Sequence, residues 1–231
     1  MAEIIRLYEN GDIIRVTTNS STPDKENGKR SKRYQMDYTA YRKLASSCVN
    51  MFAAKRNNPV FFTFTIPTGV ITEKQANECF SKLLENLTKN YKLNAYVWVK
   101  EIGGGCNIHY HTIFDIPFSD LNRIKRAWFN AYKHLDSRFA NNNLRLPVEN
   151  KATIENVDKC LRYICKYATK ARKREYTARC YGTSRNIRSR PRDLTNDEFY
   201  MLLDTFKDVK TYNFKYLTVY SIQNINQKIT W

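Results

Sequence analysis

Three consecutive glycines, Gly103-Gly104-Gly105, stand between two strand-like runs, Ala95 to Glu101 and Asn107 to Phe114. Glycine takes backbone conformations closed to other residues, so the triplet predicts a tight reversal joining an antiparallel pair. If the hairpin turns symmetrically about Gly105, Glu101 falls opposite His109 and Val99 opposite His111. Residues two apart on a strand point the same way. Glu101, His109 and His111 are therefore expected on one face, with paired Cβ atoms about 4.5–5.5 Å apart.

The hairpin belongs to a longer rhythm. Val60 to Ile66 is strand-like and is stopped by Pro67 and Gly69. Thr72-x-x-Gln75 is a capping box that opens a helix to about Asn90. Beyond the hairpin, Ser119 can cap a helix to about Arg138, and Leu144 to Val148 can supply a fourth strand. The order is βαββαβ. It predicts an α+β fold: a ferredoxin-like or RRM-like antiparallel sheet with helices on one face. A further helix is expected over about Glu155 to Lys173, another opened by Thr195-x-x-Glu198, and a last strand over Tyr216 to Ile222. Near the N-terminus, Ile4 to Leu7 and Ile13 to Val16 flank Asn10-Gly11, a hairpin signature. Residues 18 to 36 are rich in Ser, Thr and Lys with little to bury, and a helix follows over 38 to 55. The expected organisation is therefore residues 1–36 as an N-terminal hairpin and flexible linker, and residues 37–231 as one domain with a basic C-terminal extension.

Charge narrows the partner. The 231 residues hold 39 Lys and Arg against 22 Asp and Glu, a formal charge of +17. Such an excess repels itself in a compact state unless an acidic partner is met, and nucleic acid is the usual one. The excess is concentrated. From Lys159 to Arg192 there are twelve Lys and Arg and one acid, Glu175. Tyr163, Tyr167, Tyr176 and Tyr181 are interleaved. A basic track with aromatic platforms is the sequence form of single-strand binding. Arg162, Arg172, Lys173, Arg174, Arg179, Arg185, Arg188 and Arg190 are the expected DNA contacts. The longest uncharged stretch, Asn57 to Thr72, is too short to span a bilayer and contains two prolines, so no membrane is expected. Six cysteines without a Cys-x-x-Cys pair, and no leader-like apolar run, predict free thiols in a non-secreted protein.

Two constellations carry chemistry. Two imidazoles and a carboxylate on one strand face suit a divalent ion with open positions, Mn²⁺ or Mg²⁺ before zinc. On the helix after the fourth strand, Val157, Leu161, Ile164 and Ala168 form one core stripe. Tyr163 and Tyr167 fall together off it, one turn apart, each followed by a lysine three residues on, Lys166 and Lys170. A tyrosine hydroxyl ordinarily titrates near 10, so a tyrosine nucleophile needs help, and a neighbouring ammonium favours both phenolate and phosphate. His134 is expected late in a helix and is given no chemistry.

In this order the motifs resemble those of the HUH endonucleases, the initiators of rolling-circle replication. Phe61-Phe62-Thr63-Phe64-Thr65 is similar to that family's first motif. His109-Tyr110-His111, with Glu101 ahead of it, is similar to its metal site. Tyr163-Ile-Cys-Lys166 looks like its Tyr-x-x-Lys motif. The pair Tyr163 and Tyr167, and Tyr181-Gly-Thr-Ser-Arg-Asn186, resemble initiators of small single-stranded DNA phages of the microvirus type. The resemblance covers about residues 59 to 190. It implies a metal-dependent enzyme that nicks single-stranded DNA at a replication origin. A tyrosine would form a 5′-phosphotyrosine and leave a free 3′-hydroxyl. It also implies a bacterial host's cytoplasm as the setting, and host polymerase and helicase as partners. No Gly-x-x-x-x-Gly-Lys-Ser/Thr loop is present that would bring a helicase in the same chain. Two other readings are carried forward. One is a non-catalytic RRM-like module that stacks bases on Phe61 and Trp98; the other is a relaxase or transposase with the same chemistry.

Overall fold

The computed structural model describes residues 2–8, 12–18, 36, 38–53, 57, 59–67, 71–103, 107–117, 121–135, 147–153, 157–171, 176–184, 187, 191–214 and 217–222. The chain divides into two compact units. One comprises Met1–Ser31, Phe52–Ala54 and Arg188–Trp231, the other Lys32–Met51 and Lys55–Ile187.

The larger unit holds the expected βαββαβ order. Its strands are β3 (Val60–Pro67), β4 (Ala95–Ile102), β5 (Asn107–Asp115), β6 (Val148–Thr153) and β7 (Tyr181–Thr183). Its helices are α1 (Tyr38–Ala53), most of which lies in this unit, α2 (Glu73–Asn90), α3 (Leu121–Tyr132) and α4 (Val157–Ala171). The five strands run β6-β3-β5-β4-β7, and each neighbouring pair is antiparallel.

One face of this sheet makes the main core. Phe62, Phe64, Trp98, Tyr110 and Phe114 pack with Phe80, Leu83 and Leu87 of α2 and with Ile124 and Trp128 of α3. The alternation on β3 explains the choice: Phe62, Phe64 and Ile66 go down into the core, and Thr63 and Thr65 go to the opposite face. At roughly 25 cal/mol per Å², burying aromatics of this size dominates the unit's stability. Helix α2 begins as its capping box predicts: Thr72 Oγ1 accepts from the Gln75 N–H, and Gln75 accepts from the Thr72 N–H. The two helices of the βαββαβ core share one face, as expected. Helix α4 lies on the other face, where Tyr163 meets Phe61, Thr63 and His111.

Two boundaries differ from expectation. Helix α3 ends at Tyr132 rather than near Arg138: Leu135 N–H bonds back to Tyr132 O, and Leu135 packs on the core. His134 therefore follows the helix in a turn. The fourth strand starts at Val148 and runs to Thr153, because Val148 is the apolar residue that pairs with Phe64 and caps the core. Ser119, the Gly104-Gly105 reversal, the Asn10-Gly11 turn and nearly all of the 18–36 linker lie outside the described residues.

In the smaller unit, β1 (Ala2–Leu7) and β2 (Asp12–Thr18) form the expected hairpin, with Ile4 opposite Val16 and Leu7 opposite Ile13. They join β8 (Arg192–Leu194), β9 (Val209–Phe214) and β10 (Leu217–Ile222) in a second sheet, ordered β8-β1-β2-β10-β9. Helix α5 (Asn196–Thr205) starts at the Thr195–Glu198 capping box and packs Phe199 on Ile5, Leu7, Ile13 and Ile222. Among the described residues, no helix is long and apolar enough to cross a membrane. The five described cysteines are free thiols and are buried.

Candidate active site

The register of the histidine hairpin is the one symmetry about Gly105 requires. Glu101 pairs with His109 and Val99 with His111. On the other side of β5, Thr65 pairs with His109 and Thr63 with His111. Paired residues project to the same face, so the threonine hydroxyls arrive beside the imidazoles. Thr65 Oγ1 lies 2.9 Å from His109 Nδ1, and Thr63 Oγ1 lies 3.3 Å from His111 Nδ1. His111 Nε2 is 2.9 Å from Glu101 Oε2.

Helix α4 completes the site from above. Tyr163 OH lies 3.1 Å from Thr63 Oγ1 and 3.5 Å from His111 Nδ1, and its ring stacks on Phe61 with centroids 3.8 Å apart. Tyr167 stacks on His111, centroids 3.3 Å apart and planes 13° apart. One turn on, Lys170 Nζ donates to Glu101 Oε1 at 2.9 Å. Positions 163, 167 and 170 are spaced i, i+4, i+7, one helical face. The opposite face of α4 is also covered. Leu161, Ile164 and Ala168 are buried as expected; Cys160 meets Cys48 of α1, and Cys165 meets Tyr41. Tyr167 is only 8% exposed, far more buried than a tyrosine merely off the core stripe would be.

Burial sets the electrostatics. It pushes the Tyr163 hydroxyl well above its ordinary range; the Thr63 hydrogen bond opposes this, and Tyr167, Glu149 and Glu101 reinforce it. Burial also acts to raise Glu101, but the hydrogen bonds from Lys170 and His111 outweigh it and hold the carboxyl below its usual range.

The donor chemistry suits a divalent ion. A ligating imidazole ordinarily has its second nitrogen fixed by a hydrogen bond, which sets both tautomer and ring angle. Thr63 and Thr65 stand where that bond is needed. A hydroxyl can donate or accept, so it can serve His111 whether the proton sits on Nε2, facing Glu101, or on Nδ1. Among the described residues, no three His, Cys, Asp or Glu side chains are grouped as a finished metal site. Closing the set of Glu101, His109 and His111 would take side-chain rotation, with Glu101 leaving Lys170.

Residues 59–172 match the family model of the replication-associated protein of ORF2 type. The matched segment runs from the strand of Thr63 and Thr65 to the end of the tyrosine helix, just under half of the 231 residues. It contains every residue of this site. No curated protein and no solved structure matches the chain. The match supports a replication-associated, Rep-type role at the level of the family.

Other residues expected to act stand apart from this centre. Lys166 is exposed, its Nζ 5.6 Å from the Tyr167 ring centroid, and it does not reach Glu101 as Lys170 does. Arg162 is exposed and bonds Asp158 one turn back. Arg179 is exposed. Arg172, Lys173, Arg174, Arg185, Arg188 and Arg190 lie outside the described residues. The sequence marks the Phe/Thr strand but assigns Thr63 and Thr65 no task. Their i, i+2 spacing, matching that of His109 and His111, is the signal that could have done so. Glu149 carries no such signal; it pairs with Thr63 across β6 and adds negative charge near Tyr163.

Proposed function

We propose that the chain is a rolling-circle replication initiator: a metal-dependent endonuclease that nicks single-stranded DNA at an origin and rejoins the ends. The observation that supports this most is the convergence of two tyrosines from α4 on the His109/His111/Glu101 face of the sheet. Glu101, His109 and His111 would hold a divalent ion, Mn²⁺ or Mg²⁺. Bound there, such an ion polarises a scissile phosphate and neutralises charge that develops on it.

The chain's own residues do the rest. Tyr163 attacks phosphorus; the new bond is tyrosine oxygen to phosphorus, and the bond from phosphorus to the 3′ oxygen breaks. The tyrosine proton ends on the departing 3′-hydroxyl, so the products are a 5′-phosphotyrosine and a free 3′ end. Host polymerase would extend that end, with a host helicase unwinding ahead of it. Tyr167 then attacks the regenerated site, and the released 3′-hydroxyl attacks the first phosphotyrosine to close a circle. One ester bond is exchanged for another at each step, so no nucleotide hydrolysis is needed. Lys170 and Lys166 bring positive charge to the phosphate and the phenolate. Arg162, Arg179 and the basic residues from Arg172 to Arg190 would carry the strand.

The microvirus-type assignment rests on the paired tyrosines. Phenylalanine at position 163, at 167 and at both tests it. Each single variant should keep some adduct formation and the double variant none; adducts in the double variant would remove the tyrosine mechanism. The reading as a base-stacking module is weakened by burial. Phe61 is covered by Tyr163, and Phe62, Phe64 and Trp98 are packed in the core, so among the described residues no aromatic platform of the expected kind stands open on the histidine face.

A further inference from the structure

A second feature lies on the helix-covered face of the same sheet, away from the histidines. Along β4, Tyr96 and Trp98 alternate with Val97, Val99 and Glu101 and project toward α2. Beside them β7 is the last strand of the sheet, and its central residue is Gly182. A Cβ there would stand 2.6 Å from Trp98 Nε1 and 2.8 Å from Cε2, so only glycine leaves the indole its place. The result is a cavity of about 140 Å³ between α2 and the sheet edge, lined by Phe80, Ser81, Tyr96, Trp98, Gly182 and Arg179 among others.

Its polar groups are unspent. Trp98 is 7% exposed, yet its indole N–H has no hydrogen-bond partner among the described residues. A donor held this far inside the fold costs free energy unless a ligand completes it. Arg179 at the mouth likewise has no carboxylate partner among the described residues, and Ser81 is exposed on α2 beside it. An aromatic wall, an inward N–H and a guanidinium call for a flat ring with an acceptor edge and an anionic group. Size selects further: a cavity of roughly 150 Å³ takes one benzene-sized ring, while drug-sized ligands need roughly 300 Å³ or more.

We propose that this cavity binds one unpaired pyrimidine nucleotide. Its ring lies against Tyr96, a ring carbonyl accepts from Trp98 Nε1–H, and its phosphate meets Arg179. The strand-borne form of the ligand rests on single-stranded DNA being the substrate proposed above. The slot would then hold a pyrimidine of the same strand apart from the nicked phosphate and set the enzyme's sequence preference at that position.

The test is photocrosslinking of the full chain in EDTA, so that no cutting occurs, to an oligonucleotide of thymidines carrying one 5-iododeoxyuridine. The adduct is mapped by mass spectrometry. The expected result is a crosslink at Tyr96 or Trp98. It should be reduced about tenfold by Arg179→Ala and by Ser81→Phe, since base–aromatic stacking is worth roughly 1–3 kcal/mol and tenfold corresponds to about 1.4. Ser81→Phe changes an exposed helix position and fills the slot without opening the core; circular dichroism checks that it folds. Crosslinks confined to Tyr163, Tyr167 or the basic segment, or insensitive to Ser81→Phe, overturn the proposal. A parallel arm uses 5-iodo-dUMP alone. A Ser81→Phe-sensitive crosslink to it, with none from the oligonucleotide, retains the pyrimidine nucleotide but makes it a free one. Adduct formation with Mn²⁺, measured separately, distinguishes the two readings: adducts without slot crosslinks sink only the slot, and slot crosslinks without adducts sink only the nicking enzyme.

Discussion

The hydroxyl of Thr65 lies 2.9 Å from Nδ1 of His109, and the strand register puts Thr63 in the same relation to His111. Two residues of a motif rich in Phe and Thr thus orient both imidazoles. The phenylalanines between them, Phe62 and Phe64, hold the strand by packing in the core. Replacing either threonine by valine keeps the shape and removes the hydrogen bond. Mn²⁺ affinity, measured by calorimetry, should fall roughly 10- to 100-fold, as it does when partners behind a ligating histidine are lost. Unchanged affinity in Thr63→Val/Thr65→Val would show that the threonines only fill space.

On the other face of β4, Lys100 is fully buried and is met by Glu73 of α2, whose carboxyl also accepts from the Thr177 N–H. Burial acts to raise Glu73, but the Lys100 and Thr177 hydrogen bonds prevail and leave it below its ordinary value. A carboxyl lowered on folding contributes stability above its unfolded pKa, about 4.3. That contribution is lost as the pH falls through the lowered folded value. Glu73→Gln should therefore be less stable than the wild type at pH 7. The gap in urea midpoint should narrow below about pH 4. Leaving a buried ammonium without its partner costs about 3–5 kcal/mol at neutral pH. A gap of the same size at every pH would contradict the assignment.

Helix α5 offers a local control, because Thr195 and Glu198 satisfy each other's backbone N–H groups. Thr195→Ala should cost about 1 kcal/mol. Amide exchange should accelerate in Asn196–Thr205. If β3 to β5 exchange equally faster, the helix is not the separate element its own core implies.

Much of this was legible in the chain. Gly103 to Gly105 and the alternation around them determined a register that the structure reproduces pair for pair, from Val99 with His111 to Glu101 with His109. The capping boxes at Thr72 and Thr195 located two helix starts, because a side chain three residues on is a local signal. What was not legible is long-range. That β8 and β10 flank the N-terminal hairpin follows from pairings across most of the chain, such as Ile5 with Leu194, which no local pattern encodes. Strand β7 is three residues with a glycine at its centre, too short for a periodicity. The orientation of α4 was half legible. Its apolar stripe is real, but the tyrosine face is covered too, since the helix lies between α1 and the sheet. The threonines beside the histidines read as ordinary strand residues until the register placed them.

The most direct test of the account is a search for a covalent protein–DNA adduct on a denaturing gel. The protein is mixed with an end-labelled, partly randomised single-stranded DNA pool in Mn²⁺ or in EDTA, beside a His109→Ala variant. The account predicts a Mn²⁺-dependent band, absent from the variant, whose tryptic peptide carries DNA on Tyr163 or Tyr167. Tight binding of the pool with no adduct in any divalent metal, or an adduct that persists in EDTA, would contradict it.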